Sequence, residues 1–174
     1  MRAKSRYPTR KSIRLKGYNY SSAGVYFVTV CTAQRRCILG VIDGGRMVLN
    51  EAGRIVEREW LRSSEIRPEL ALDAYVIMPN HFHGLFAFTN PSPAPARAGH
   101  DRQPQSVSSF VSGFKGATCR GIRMLLGRPD FVVWQRGFFE RVVRGEREID
   151  RFRHYIENNP VEWVQDRYYA SASR

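Results

Sequence analysis

The stretch from Ala71 to Phe88 is a long apolar run broken near its middle by Pro79-Asn80 and then by His81 and His83. Turn residues at the centre of such a run predict two adjacent antiparallel strands, Leu72 to Met78 and His81 to Phe88. Side chains alternate across a strand, so Phe82 is expected to enter the core while His81 and His83 share the opposite face. Two imidazoles side by side on a rigid strand suit a metal ion. The pair follows a tight turn, at a strand end where a ligand can enter. Two nitrogens do not fill a coordination sphere, so a third protein ligand is required.

The remaining elements follow from pattern. Val25 to Cys31 is rich in β-branched and aromatic residues and reads as a central strand. Ile38 to Leu49 reads as a short hairpin turning at Asp43-Gly44-Gly45. Asn50 is a good N-cap, followed by Ala52, Ile55, Val56 and Trp60 at helical spacing. Val107, Phe110, Val111, Phe114, Ile122 and Leu125 form a second helical stripe. Phe131 to Trp134 and Phe138 to Val143 read as extended. Glu146 to Asn158 reads as a third helix, acidic in its first turn, ended by Pro160 and buried along Ile149, Phe152 and Ile156. The order strand, helix, strand, strand, helix, strand, helix predicts an α+β, ferredoxin-like antiparallel sheet with helices packed on it. One domain is expected over residues 1–174, with a basic N-terminal arm at 1–16, a proline-rich flexible loop at 90–105 and a C-terminal tail at 165–174.

Charge narrows the partner. Among 174 residues, 28 are Lys or Arg and 16 are acidic, a formal net charge of +12. That excess on so small a chain favours a polyanion, nucleic acid before an anionic membrane surface. Arg14 and Lys16 in the basic arm, Lys115, Arg120 and Arg123 on the second helix, Arg136 after Trp134-Gln135, and Arg141 and Arg144 are candidate phosphate contacts. Tyr7, Tyr18 and Tyr20 could stack unpaired bases. No membrane span or secretory signal is evident. Cys31, Cys37 and Cys119, without a C-x-x-C pair, point to free thiols in a reducing cytosol.

The second chemical cluster is His154-Tyr155-Ile156-Glu157-Asn158-Asn159-Pro160. On a helix, Tyr155 falls on the flank of the buried stripe. Asn159, four residues on, falls near the same side. Asn159 offers an amide oxygen as third metal ligand. Glu157 is the stronger ligand chemically but turns away from Tyr155, and Asn158 is a further rival. Because Asn159 precedes proline, its backbone can also leave the helix. A neutral amide and two neutral imidazoles would leave the full metal charge free to polarise a phosphate. Their softness admits zinc, manganese or magnesium. Tyr155 is the candidate nucleophile, and its phenol needs help to ionise near neutral pH.

Arg14-Leu15-Lys16-Gly17-Tyr18, Tyr26-Phe27-Val28-Thr29, Met78 to Gly84, Phe114-Lys115, Trp134-Gln135-Arg136 and Tyr155 to Pro160 together resemble the REP-associated tyrosine transposases. These are relatives of insertion-sequence transposases within the HUH single-strand nucleases. The resemblance implies a ferredoxin-like fold, a divalent metal, Mg2+ or Mn2+, and a 5′-phosphotyrosine link to single-stranded DNA. By position, His81 and His83 match the metal histidines, Tyr155 the nucleophile and Asn159 the third ligand. The implied partner is a palindromic single-stranded DNA hairpin with no membrane, the implied oligomeric state is monomer or homodimer, and the implied setting is the bacterial cytoplasm, near the nucleoid. Where the family often carries tyrosine or tryptophan and histidine, this chain has Phe138-Phe139-Glu140-Arg141, to which no catalytic role is assigned. Two other readings share these features: a regulator that binds structured single strands without cutting, and a replication initiator or relaxase. Initiators often place a lysine shortly after the tyrosine, and relaxases place the tyrosine before the histidines; neither holds here.

Overall fold

The computed structural model describes residues 24–89 and 106–169. The basic arm, with Arg14, Lys16 and the three early tyrosines, lies outside the described residues, as does the loop at 90–105. Strands β1 (Gly24–Cys31), β4 (Leu70–Met78), β5 (His81–Phe88) and β6 (Phe139–Val143) form one antiparallel sheet in the order β4-β5-β1-β6. Helices α1 (Glu51–Ile66), α2 (Val107–Leu126) and α3 (Glu146–Asn158) pack on it. A separate hairpin, β2 (Gly40–Asp43) with β3 (Arg46–Leu49), precedes α1. The order is that of a ferredoxin-like β-α-β-β-α-β unit with α3 added after it.

Each boundary has a local cause. The β2–β3 turn needs positive φ at both central residues, and Gly44 and Gly45 supply it at 55° and 74°. The Asn50 side chain accepts the Gly53 N–H at 3.0 Å, and the Ser106 hydroxyl accepts the Ser109 N–H at 3.2 Å, capping α1 and α2. The sequence reading differs from the structure at Phe131 to Trp134. That stretch is not a strand; it makes only an isolated bridge between Trp134 and Thr32. Trp134 is buried, and its indole N–H donates to Thr118 Oγ1 at 2.8 Å, so its apolar neighbours mark a core anchor rather than a ladder.

The sheet separates two cores. Tyr26, Val28 and Val30 of β1 with Phe82 and Phe86 of β5 pack against Trp60 of α1 and Phe110 and Phe114 of α2. Phe27 and Leu85 point the other way and meet Ile156 of α3, flanked by Ile149, Phe152 and Tyr155. The alternation predicted for β5 therefore holds: Phe82 enters the larger core, and His81 and His83 face α3. Between Phe82 and Phe86, Gly84 leaves room for the Trp60 ring. A Cβ there would lie 2.5 Å from that ring. We predict that Gly84→Ala destabilises the chain by about 1–3 kcal/mol, the range for overpacking a well-filled core. Urea unfolding should show a lower midpoint with an unchanged slope. An unchanged midpoint would mean that Trp60 moves aside freely.

Candidate metal and nucleophile site

The histidine pair sits on β5 opposite β1, with His83 paired across the ladder to Thr29 and His81 to Cys31. Both rings are 0% exposed and lie 4.6 Å apart, centre to centre. The expected open strand end is instead covered. The Pro79-Asn80 turn is buried, and the rings of Trp163 and Tyr168 lie over His81 at 6.0 and 4.8 Å. Pro160 ends α3, and the chain then doubles back through a short 3-10 turn, Trp163–Gln165. Residues 165–169, at the start of the C-terminal tail, thus form part of the site.

Hydrogen bonds orient each imidazole. The Asn80 side-chain amide donates to the carbonyls of Arg35 and Tyr168 at 3.1 and 2.8 Å, which leaves its oxygen to accept from His81 Nδ1–H at 2.9 Å. That fixes the proton of His81 on Nδ1 and directs a lone pair from Nε2. This Nε2 is buried and has no hydrogen-bond partner among the described residues. The nearest carboxylate oxygen, Asp166 Oδ2, is 4.0 Å away. His83 Nδ1 lies 2.8 Å from the Thr29 hydroxyl, and its Nε2 lies 3.2 Å from the hydroxyl of Tyr155. With the proton on Nδ1, His83 accepts the phenol O–H.

Asn159 keeps helical backbone despite the following proline, at φ −53° and ψ −41°. It therefore stays one turn beyond Tyr155 on the same side of α3. Its amide N–H donates to Asp166 Oδ2 at 2.9 Å, and its amide oxygen is a second buried atom with no hydrogen-bond partner among the described residues. Asp166 is almost fully enclosed, and its other oxygen accepts the Tyr168 N–H at 2.6 Å. His81, His83 and Asp166 each offer a ligand atom within 4.8 Å of the others. Two imidazoles, one carboxylate and an orphaned amide oxygen are a donor set for a divalent cation. Burial pushes the His81 pKa down to about 4 against the opposing pull of Asp166, and burial with the neighbouring His81 pushes His83 well down too. Both are held neutral, the state a ligand requires. Burial, then Asp166, raises the Tyr155 phenol to about 12, so it is protonated at neutral pH.

No protein-family model matches the chain. It is 36% identical over 169 residues to an uncharacterized protein of Haemophilus influenzae, covering 92% of this chain and 93% of that one. The chain belongs to the family of that protein. A solved structure of a REP-associated tyrosine transposase bound to a REP hairpin matches 87% of this chain and 73% of its own, with a TM-score of 0.58 and 19% identity. The fold is that of the transposase.

The structure thus brings His81, His83, Tyr155 and Asn159 together. Glu157 and Asn158, the rival ligands, are exposed on α3. The predicted basic contacts are scattered. Arg120 and Arg123 lie on α2, across the sheet from the histidines, and Arg123 Nε donates to the Phe131 carbonyl at 2.9 Å. Lys115 donates to the carbonyls of Gln135 and Gly137 at 2.7 and 2.8 Å, which makes it a strut for that loop. Arg136 and Arg144 are exposed. Arg141, on the α3 side of β6, pairs with Glu148. Sequence reasoning missed Asp166 and the orienting residues Thr29 and Asn80. The available signal for Asp166 was Trp163 and Tyr168, two large aromatics flanking it.

The donor set predicts cation binding that needs the carboxylate. Asp166→Asn and His83→Ala should each weaken Mn2+ binding to the full chain by roughly tenfold or more in isothermal titration, the scale on which ligand-shell changes act. Glu157→Gln should leave it unchanged. Equal affinity in Asp166→Asn would remove the carboxylate from the ligand set.

Proposed function

We propose that the chain is a metal-dependent single-strand DNA endonuclease and strand transferase of the REP-associated tyrosine transposase kind. The observation that carries this reading is the 3.2 Å approach of the Tyr155 hydroxyl to His83 within the histidine, asparagine and aspartate cluster. A nucleophile and a cation site are held on facing elements of one rigid sheet–helix unit. The net charge of +12 adds the attraction for a polyanionic strand.

His81, His83 and Asp166, with Asn159, would hold the ion. A divalent cation there supplies positive charge to a phosphodiester oxygen. Tyr155 attacks phosphorus, forming the Tyr155 Oη–P bond and breaking the P–O3′ bond. The phenol proton passes to solvent, and the departing 3′ oxygen takes a proton and leaves as a hydroxyl. The DNA stays joined to Tyr155 through its 5′ phosphate. Attack by a second 3′ hydroxyl reverses the step and rejoins a strand without ATP, because the phosphotyrosine keeps the ester bond. The substrate favoured by the fold and by the sequence motifs is a hairpin-forming single strand. An intact phenol held next to a neutral imidazole also favours cutting over mere binding, since a binding surface has no need of a half-buried protonated tyrosine aimed at a ligand nitrogen.

Incubation of the full chain with a hairpin-forming single strand and Mn2+ should give a covalent protein–DNA adduct on denaturing gels. Tyr155→Phe should give none, and His83→Ala should reduce the yield by roughly a hundredfold or more, the range for losing one charge-stabilising group. An adduct of equal yield in Tyr155→Phe would assign the nucleophile elsewhere. Tight binding with no adduct under any divalent metal would favour the regulator.

A further inference from the structure

Tyr155 is not sealed like the histidines. It forms one wall of a cleft of about 360 Å3 between β6 and α3. The size falls in the range of sites for one small ligand. Alternation on β6 puts Phe139 and Arg141 on the same side, and helical spacing on α3 puts Arg151, Phe152 and Tyr155 opposite them. Phe27 forms the floor, its ring stacked on Phe152 at 4.3 Å between centroids. Arg167 completes the rim.

The lining is of two kinds, flat rings and guanidinium groups. Arg167 lies over Phe139 at 5.7 Å, and Arg141 and Arg151 lie over Phe152 at 5.8 and 5.9 Å. Guanidinium over a ring face is a favourable arrangement that also orders the cation. Glu148 pairs with both Arg141 and Arg151 from outside the lining, so three arginines are offset by one carboxylate. Phe139 and Phe152 are only partly buried, which leaves ring surface available. An occupant that matches this cleft is planar, aromatic and attached to negative charge.

We propose that the cleft is a nucleotide subsite: it takes one base of a single-stranded DNA beside the Tyr155 hydroxyl, stacked against Phe139 and Phe152, with Arg141, Arg151 and Arg167 facing the sugar–phosphate chain. The inference rests on the reading of the chain as a single-strand nuclease and adds where the strand lies. Base stacking on the rings fixes the depth of the nucleotide. The arginines fix its phosphate at the rim. Because Tyr155 is shared by the cleft and the ion-binding cluster, a base seated here brings its own phosphodiester to the nucleophile. Stacking on the rings accepts any base, and a guanidinium of the rim that turned inward would favour the acceptor edge of guanine.

The test separates this inference from the nuclease reading. The full chain carrying Tyr155→Phe, which cannot form an adduct, is titrated with hairpin-forming oligonucleotides in which 2-aminopurine replaces each base flanking the stem in turn. One position is expected to lose at least about two-thirds of its fluorescence on binding. Added Phe139→Ala should restore that fluorescence and weaken binding about tenfold, the scale of one base–aromatic stack. Added Arg151→Ala, at an exposed side chain that carries no fold, should lower the slope of log K against log salt by about 0.7, the value for one single-strand phosphate contact. Binding without quenching at any position, and a slope unchanged in Arg151→Ala, overturns the subsite even where the native chain forms its adduct. Quenching that Phe139→Ala abolishes and a salt slope that Arg151→Ala lowers, with no adduct from the native chain and Mn2+, support the subsite and overturn the nuclease reading. No binding of single strands at all overturns both.

Discussion

Strand β5 has to satisfy two environments at once, and the rest of the molecule follows from how it does so. One face carries Phe82 and Phe86 into a dry core. The other carries two imidazoles, 0% exposed, that would be costly to bury without partners. The cost is offset nitrogen by nitrogen. Thr29 meets His83 Nδ1 because the β1–β5 register sets those residues opposite each other. Asn80 meets His81 Nδ1 because the turn that reverses the chain is itself buried and held by Thr32, whose hydroxyl donates to the Asn80 carbonyl. Two hydrogen bonds, made by the side chains of Thr29 and Asn80, therefore decide the direction of the two remaining lone pairs. The α3 helix and the returning chain after Pro160 enclose the space into which those lone pairs point.

Much of this was legible in sequence because it is periodic. The hairpin around Pro79-Asn80, the sharing of one face by His81 and His83, and the i, i+4 relation of Tyr155 and Asn159 all follow from repeats of two and of 3.6 residues. What lacked a period was misread. The reversal after Pro160 is a single 3-10 turn anchored by one buried tryptophan, Trp163, and no repeat announces it. Asp166 came to the histidines only through that reversal. Phe131 to Trp134 has the composition of a strand, but it is held by one bridge, a tryptophan–threonine hydrogen bond and arginine side chains on its carbonyls rather than by a ladder. Lys115 carries a role that its helical stripe does not announce: besides being a candidate phosphate contact, its ammonium donates to two carbonyls.

Asn159 and Asp166 clarify each other. An asparagine alone was a sufficient third donor on paper. In the folded chain its N–H group holds the Asp166 carboxylate, and its oxygen remains without a hydrogen bond among the described residues. The side chain thus acts in two directions, orienting a charged donor with one end and presenting a neutral donor with the other. A carboxylate in the set lowers the net positive charge that a bound divalent ion would show to a phosphate, relative to two imidazoles and an amide. It also raises affinity for harder cations such as magnesium and manganese over a purely nitrogen set. With an ion bound, the carboxylate would trade some polarising power for retention of the ion.

The same carboxylate bears on the nucleophile. Asp166 and burial together raise the Tyr155 phenol to about 12, while Arg167 pulls in the other direction. The site does not store a phenolate; it stores a phenol. In the proposed nuclease, a protonated tyrosine would be inert until a strand brought its phosphate and changed the local charge balance. Arg167 is placed for that role because it belongs to both neighbourhoods, lowering the phenol pKa and forming the rim of the adjacent cleft. Under the proposed reading reactivity would be tied to occupancy, because the group that lowers the Tyr155 pKa is also one that an incoming phosphate would contact. This coupling needs no moving domain. It requires only that the edge strand β6 and helix α3 present their aromatic and guanidinium side chains to the same gap, which alternation on one and helical spacing on the other already ensure.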